Sequence, residues 1–214
     1  MTKQKIALAL FIIVAAVDII GIMFKIPSLV IVFKPLILLS LVTLYLVSVS
    51  EINKIYVLAL IFSFLGDVFL MFNGELYFTI GLVSFLIAHL FFIKIVSNRL
   101  HKTSVLNIIF SVLPFLILLL FLLFFLKNYL DEMLIPVLIY GITISTFGVV
   151  SMLDYLNTKS NKSLLMFVGA IIFISSDSIL AINKFYSSTA IFAVLIMLTY
   201  IVAQFLIYKS EIQK

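Results

Sequence analysis

Long apolar runs separated by short polar joints dominate this chain, and the pattern recurs eight times. The runs cover roughly residues 6–24, 29–49, 55–72, 76–97, 104–126, 133–153, 164–182 and 188–208. About 20 apolar residues in helical form cross the hydrocarbon core of a bilayer, so each run predicts one transmembrane helix. The joints are marked by Pro, Gly, Asn or charge, as at Lys25-Ile26-Pro27-Ser28 and Asn73-Gly74-Glu75, and none exceeds about a dozen residues. The pattern therefore predicts an all-α, polytopic integral membrane protein, with eight helices in one bundle and a single transmembrane domain over 1–214. The first run, of about 19 residues, is longer than the 7–15 of a signal-peptide core. It also holds Asp18 and lacks a small-residue cleavage site, so it reads as a retained span.

Composition agrees. The chain is 65% hydrophobic and 11% charged, against about 45–50% and 25% in soluble domains. The net charge of +5 does not point to nucleic acid, because Lys and Arg stand singly in short joints. Without cysteine there is no disulfide, thiol catalysis or Cys-based metal site, and two histidines without a His/Glu cluster predict no metal. No cofactor is expected. With Trp absent, interfacial anchoring falls to Tyr, Lys and Arg. Ten basic residues, from Lys3 to Lys214, fall on the face that holds both termini; Lys25, Lys127 and Lys184 fall on the other. That bias predicts cytoplasmic termini, in a membrane that short loops loosely match to a bacterial inner membrane.

Against this background Asp18, Lys34, Asp67 and Asp177 stand out, each inside an apolar run. A charge in lipid costs a few kcal/mol on the most lenient scales, so such residues pair, face a polar cavity or do chemistry. At 1.5 Å per residue they lie about 18–22 Å from the cytoplasmic ends of four different spans, in one layer of the outer half. His89 sits nearer the midplane of span four. Tyr200 and Gln204 are polar groups on span eight that could line the same cavity.

The two halves echo each other weakly. Asp67-x-x-Leu70-x-x-Asn73 matches Asp177-x-x-Leu180-x-x-Asn183, followed by Tyr77 and Tyr186, and Ala88-His89 with Lys94 parallels Ala203-Gln204 with Lys209. An offset of four helices preserves direction, which suggests a parallel 4+4 pseudo-repeat with the aspartates on equivalent helices.

Each residue also has a plainer role open to it. Asp177 could be bonded to Ser175, Ser176 and Ser178 as glue between helices, and Asp67 to Ser63. Lys34, near a span end, could extend to the interface. Asp18 could be a packing partner and His89 a satisfied core residue. Gly66 could permit close helix approach or leave cavity space. Gly141 and Gly148, seven apart, read as packing, and His101 as a solvated loop residue.

Phe33-Lys34-Pro35-Leu36, Leu65-Gly66-Asp67, Ala88-His89-Leu90 and Phe173-Ile174-Ser175-Ser176-Asp177 together resemble the YhhN-like family of small polytopic membrane proteins, which includes the lysoplasmalogenases. The resemblance runs in order over nearly the whole chain, and Asp18 falls where a first-span aspartate is expected. Gln204 departs from a histidine expected of some relatives. The resemblance implies hydrolysis of the vinyl ether bond of a lysophospholipid, releasing a fatty aldehyde and a glycerophospho head group. It carries over Lys34, Asp67, His89 and Asp177. The partners it implies are the lysophospholipid and the surrounding membrane lipids.

The residues suit that chemistry. A vinyl ether is hydrolysed by protonating the carbon β to oxygen, and water then captures the oxocarbenium ion. Two carboxylates in a low-dielectric site do not both ionise readily, which would leave one as acid and the other to stabilise the cation and activate water, as in glycosidases. The expectation is Asp177 as acid and Asp67 ionised, with His89 relaying protons. Asp67, Asp177 and His89 are thus the catalytic candidates, and Lys34, Asp18, Tyr200 and Gln204 the substrate-binding ones. Charged groups at one depth also describe a proton-coupled transporter, although the chain shows little of the Gly/Pro breakage of discontinuous transport helices. A non-catalytic lipid-binding protein is the third reading.

Overall fold

The computed structural model describes residues 2–100 and 102–213, so Met1, His101 and Lys214 lie outside the described residues. The eight apolar runs become eight α-helices in order: α1 Lys3–Met23, α2 Pro27–Leu46, α3 Lys54–Phe69, α4 Glu75–Ser97, α5 Val105–Leu126, α6 Leu134–Thr158, α7 Asn161–Phe185 and α8 Ala190–Glu211. Among the described residues a 3₁₀ turn, Asp131–Met133, leads into α6, and no strand is present. Seven of the helices are long and apolar enough to cross a membrane, which makes the chain a multi-pass helical membrane protein. The exception is α3. Its 16 residues rise about 24 Å, short of the roughly 30 Å hydrocarbon core.

Side chains set the helix starts. Asn53 caps α3 through Oδ1, which accepts from the amides of Ile55 and Tyr56 at 3.1 and 3.3 Å. Ser104, Ser160 and Thr189 accept in the same way at the starts of α5, α7 and α8; each satisfies an amide that has no partner within its helix. Pro27 opens α2, where its missing N–H costs nothing.

The joint expected from 154 to 163 is almost entirely helical. α6 continues to Thr158 and α7 begins at Asn161, leaving Lys159, at φ 50°, and Ser160 to make the turn. The polar residues there predict only a short joint between spans. Asp154 is in fact buried, 2% exposed, within α6.

The helices group into two compact units, residues 1–88 and 89–213, so the division falls within α4 rather than between the fourth and fifth apolar runs. In the first unit α2 packs on both α1 and α3. Tyr45 and Tyr56 meet edge to face at 4.7 Å, and the Tyr45 hydroxyl accepts from the Asn53 amide at 2.8 Å. In the second, α6 packs on α5 and α7, and α7 on α8. The α7–α8 contact is tied by Ser176, whose hydroxyl donates to the Ile196 carbonyl at 2.9 Å. α5 is the most apolar of the helices and buries little beyond Ser111, Phe115 and Leu126. Its exposed leucines, isoleucines and phenylalanines, such as Ile109, Phe110, Leu113, Ile117 and Phe121, are surface that lipid solvates.

Candidate functional site

In the first unit, α1 and α2 bring Asp18 and Lys34 together. Asp18 lies five residues before the end of α1, and Lys34 seven residues into α2, so both are near the joint of that hairpin. Asp18 is 0% exposed, and neither carboxylate oxygen accepts a hydrogen bond from a described residue. Lys34 is half-buried and acts on Asp18 electrostatically. Lys34 therefore acts on Asp18 through its field and not through a hydrogen bond. Asp67, also buried, follows Gly66 on α3. Gly66 has no side chain because the Phe85 ring of α4 lies against it: a Cβ there would sit 2.5 Å from Phe85 Cδ2 and Cε2. Of the two uses open to Gly66, close approach is the one observed.

The second unit holds Asp177, His89, Tyr200 and Gln204, and Tyr140 joins them. The Tyr140 hydroxyl donates to Asp177 Oδ2. Ser175 and Ser178 do not serve Asp177; each hydroxyl donates to the backbone carbonyl four residues back, at 2.9 and 2.7 Å, and Ser176 donates to α8. The serine-bonded reading of Asp177 therefore gives way to a tyrosine on the neighbouring helix.

His89 is fully buried in an aromatic box. Its ring stands edge-on to Phe173 at 4.7 Å and to Tyr140 at 5.7 Å, with Phe147 at 5.8 Å and Phe92 at 6.1 Å. Phe173 in turn meets Tyr200 at 5.4 Å, and Gln204 Nε2 donates to the Tyr200 hydroxyl at 3.4 Å. Four residues singled out in the sequence thus share one neighbourhood, connected through Tyr140 and Phe173. Tyr140 had one signal in the sequence, a hydroxyl in the middle of an apolar run, but nine tyrosines in the chain dilute it.

Beside the Tyr140–Asp177 pair, α5, α6 and α7 enclose a cavity of about 60 Å³. Its α5 wall is leucine throughout, from Leu118 to Leu126, and Leu130 of the following joint adds to it; α6 contributes Val137, Tyr140, Gly141, Ile144 and Ser145, and α7 contributes Ile174, Asp177, Ser178 and Ala181. Leu118, Leu119, Leu122 and Leu123 are only partly buried, so the cavity meets the lipid-facing surface along α5. Gly141 and Gly148 bear out the packing expectation: a Cβ at Gly141 would lie 2.6 Å from Leu119 Cδ1, and one at Gly148 2.5 Å from Phe115 Cε1.

A second polar cluster ties helix ends together. Arg99, just beyond α4, pairs with Glu211 of α8. Lys162 Nζ donates to the Gln213 carbonyl at 2.8 Å, and the Ser210 hydroxyl to the Lys162 carbonyl at 2.7 Å. The buried Asp154 interacts electrostatically with Lys162. The ion pair and the two hydrogen bonds to backbone carbonyls join these helix ends in the manner of a structural clamp, although Arg99 Nη1 is buried without a hydrogen-bond partner. No group of three or more His, Cys, Asp or Glu capable of holding a metal occurs among the described residues.

The sequence profile of the YhhN family matches residues 29–211, which takes in every candidate above except Asp18. No curated protein and no solved structure matches the chain.

Proposed function

The chain belongs to the YhhN family, which includes lysoplasmalogenases, and on that footing we propose that it hydrolyses the vinyl ether bond of a lysophospholipid within the membrane. The observation that carries the proposal is the Tyr140–Asp177 pair set in the wall of a largely apolar cavity. A carboxyl group beside a hydrocarbon chain is the arrangement a vinyl ether needs, because the proton must reach carbon.

In this reading Asp177 is the acid. With Oδ2 engaged by Tyr140, the transferable proton is assigned to Oδ1. The C=C electron pair takes that proton at the carbon β to oxygen, leaving an oxocarbenium ion and an Asp177 carboxylate. Water adds to the cationic carbon and gives up a proton to a carboxylate, assigned to Asp67. The hemiacetal then collapses: its hydroxyl proton leaves, the carbon–oxygen bond to glycerol breaks, and the glycerol oxygen takes a proton. One water is consumed, and an aldehyde and a glycerophospho alcohol leave. Tyr140 is a positioning residue that also hydrogen-bonds the Asp177 carboxylate once its proton has gone. His89, edge-on to Tyr140, returns the proton.

The roles of Asp67, Lys34 and Asp18 rest on chemistry: a second carboxylate for the cation and water, a cation for phosphate, and a carboxylate that pairs with that cation. Tyr200 and Gln204 extend the polar side of the His89 box. We also take α3 as a crossing, because eight crossings return the chain to the side on which it began and match the ten-to-three distribution of basic residues. The termini are then cytoplasmic.

The test is aldehyde release from a lysoplasmalogen by purified protein, with Asp67→Asn and Asp177→Asn in parallel. Release by the wild type and by neither folded variant is expected. A folded wild type that releases no aldehyde would sink the reaction.

A further inference from the structure

The hydrolysis proposed above consumes one water, and on that reading the cavity must hold this water beside the reactive bond. About 10–15 Å³ of cavity space holds one water, provided that two to four polar groups stand round it. The cavity beside Asp177, of about 60 Å³, therefore has room for about four. Most of its wall is aliphatic, and an aliphatic wall keeps no water. The polar side chains in the wall are Tyr140, Ser145, Asp177 and Ser178, so water is held only where these four stand.

Tyr140 and Asp177 are engaged with each other. The two serines stand at one level of the facing helices. Across the α6–α7 packing, a Cβ at Gly148 would lie 2.7 Å from Ile174 Cδ1, and the rings of Tyr155 and Phe167 stack at 5.8 Å. Counted antiparallel from these pairs, Ser145 on α6 comes level with Asp177 and Ser178 on α7. The Ser178 hydroxyl donates to the Ile174 carbonyl at 2.7 Å, so its oxygen still accepts. Thr143 and Thr146 each donate to the carbonyl four residues back, at 2.9 and 2.8 Å. Ser145, between them, makes no such bond among the described residues and keeps its hydroxyl for the cavity. We infer that Ser145 and Ser178 seat the water that captures the oxocarbenium ion. The water accepts from the Ser145 hydroxyl and donates to the Ser178 oxygen, which leaves one lone pair for the carbon that Asp177 has made cationic. Its oxygen bonds to that carbon, and its other proton passes to the carboxylate already assigned.

Proton transfer to carbon is slower than capture of an oxocarbenium ion by water. The seat therefore shows in which nucleophile captures the cation rather than in kcat. Methanol is the probe: its oxygen bonds to the same carbon, its proton leaves, and the product is a mixed acetal heavier than the substrate by one methanol. Methanol has one O–H against the two of water, and its methyl group would meet one of the serines. In the wild type the acetal-to-aldehyde ratio, read by mass spectrometry, should fall below the methanol-to-water ratio of the medium. One neutral hydrogen bond is a factor of about 2 to 10, so Ser145→Ala should raise the product ratio by that factor, and Ser145→Thr, which keeps the hydroxyl, should hold it within about twofold of the wild type. Ser178→Ala should raise it likewise and serves if Ser145→Ala fails to fold. The same ratio in the wild type and every variant would overturn the seat.

A second measurement needs no turnover. Silver ion travels where water does and binds a thiolate, and the chain has no cysteine of its own. Ser145→Cys should be blocked by silver in the folded protein, read as loss of maleimide labelling after unfolding. Ala170→Cys, at a fully buried position of α7 outside the cavity, should stay unblocked. Blocking at position 145 in a protein whose wild type releases no aldehyde would refute the hydrolase and leave the water seat standing. Aldehyde release with Ser145→Cys as unreactive as Ala170→Cys would overturn the seat alone.

Discussion

Tyr140 on α6 donates its hydroxyl hydrogen to Oδ2 of Asp177 on α7, and this bond fixes one carboxyl oxygen beside an apolar cavity. The three neighbouring serines spend their hydrogens on backbone carbonyls, whereas Tyr140 spends its own on this acid and so helps to orient it. Hydrogen bonds to ionised groups contribute about 1.5–3 kcal/mol, and about 1.4 kcal/mol is tenfold in rate. Tyr140→Phe should therefore lower kcat for aldehyde release by about 10- to 100-fold and change KM little. A KM effect with kcat preserved would place Tyr140 in binding instead.

Asp18 and Lys34 should be coupled. Removing the cation leaves a fully buried carboxylate without compensation, the costly way to break an ion pair. Lys34→Met should lower the thermal stability of the detergent-solubilised protein, and adding Asp18→Asn should recover part of the loss. Because Lys34 is half-buried, the interaction expected from the double-mutant cycle is about 1 kcal/mol, within the usual range for neighbours. Strictly additive losses would show that the two act independently.

Gly66→Ala tests the approach of Phe85. Alanine in place of glycine favours a helix by about 1 kcal/mol, whereas overpacking costs about 1–3 kcal/mol. A Cβ 2.5 Å from a rigid ring makes overpacking the larger effect. The net loss should be about 1–2 kcal/mol by thermal unfolding, with reduced activity because Asp67 is the next residue. Trimming the ring in Gly66→Ala/Phe85→Leu should recover part of both.

Arg99–Glu211 tests the clamp. Breaking a fully buried pair costs about 3–5 kcal/mol. With Arg99 22% exposed and Glu211 3%, Glu211→Gln should cost less, about 2–3 kcal/mol. The readout is thermal stability, with kcat per folded molecule unchanged. A kcat effect without a stability effect would move this cluster into the functional machinery.

Whether α3 crosses can be settled with cysteine chemistry, since the chain has none of its own. Ser50 precedes α3 and Asn73 follows it, and both are exposed. Ser50→Cys and Asn73→Cys should react with a membrane-impermeant maleimide from opposite sides of the membrane, Asn73→Cys from outside. Labelling of both from the same side would remove the eighth crossing and place the termini on opposite faces.

The sequence alone settled the helices, because the thickness of a bilayer fixes how long an apolar run must be. It also picked out Asp18, Lys34, Asp67, His89 and Asp177, since a polar group in lipid is costly enough to be conspicuous on a single chain. It could not say which faces of those helices meet. A helix apolar on all sides carries no stripe to mark its inner face, and lipid does not drive helices together as water does. Packing of small residues and interhelical hydrogen bonds decide the rotation of each helix. That is why only the tertiary structure could find Tyr140 against Asp177, the aromatic box around His89, Leu119 packed against Gly141, and Asp154 buried where a joint between spans was expected.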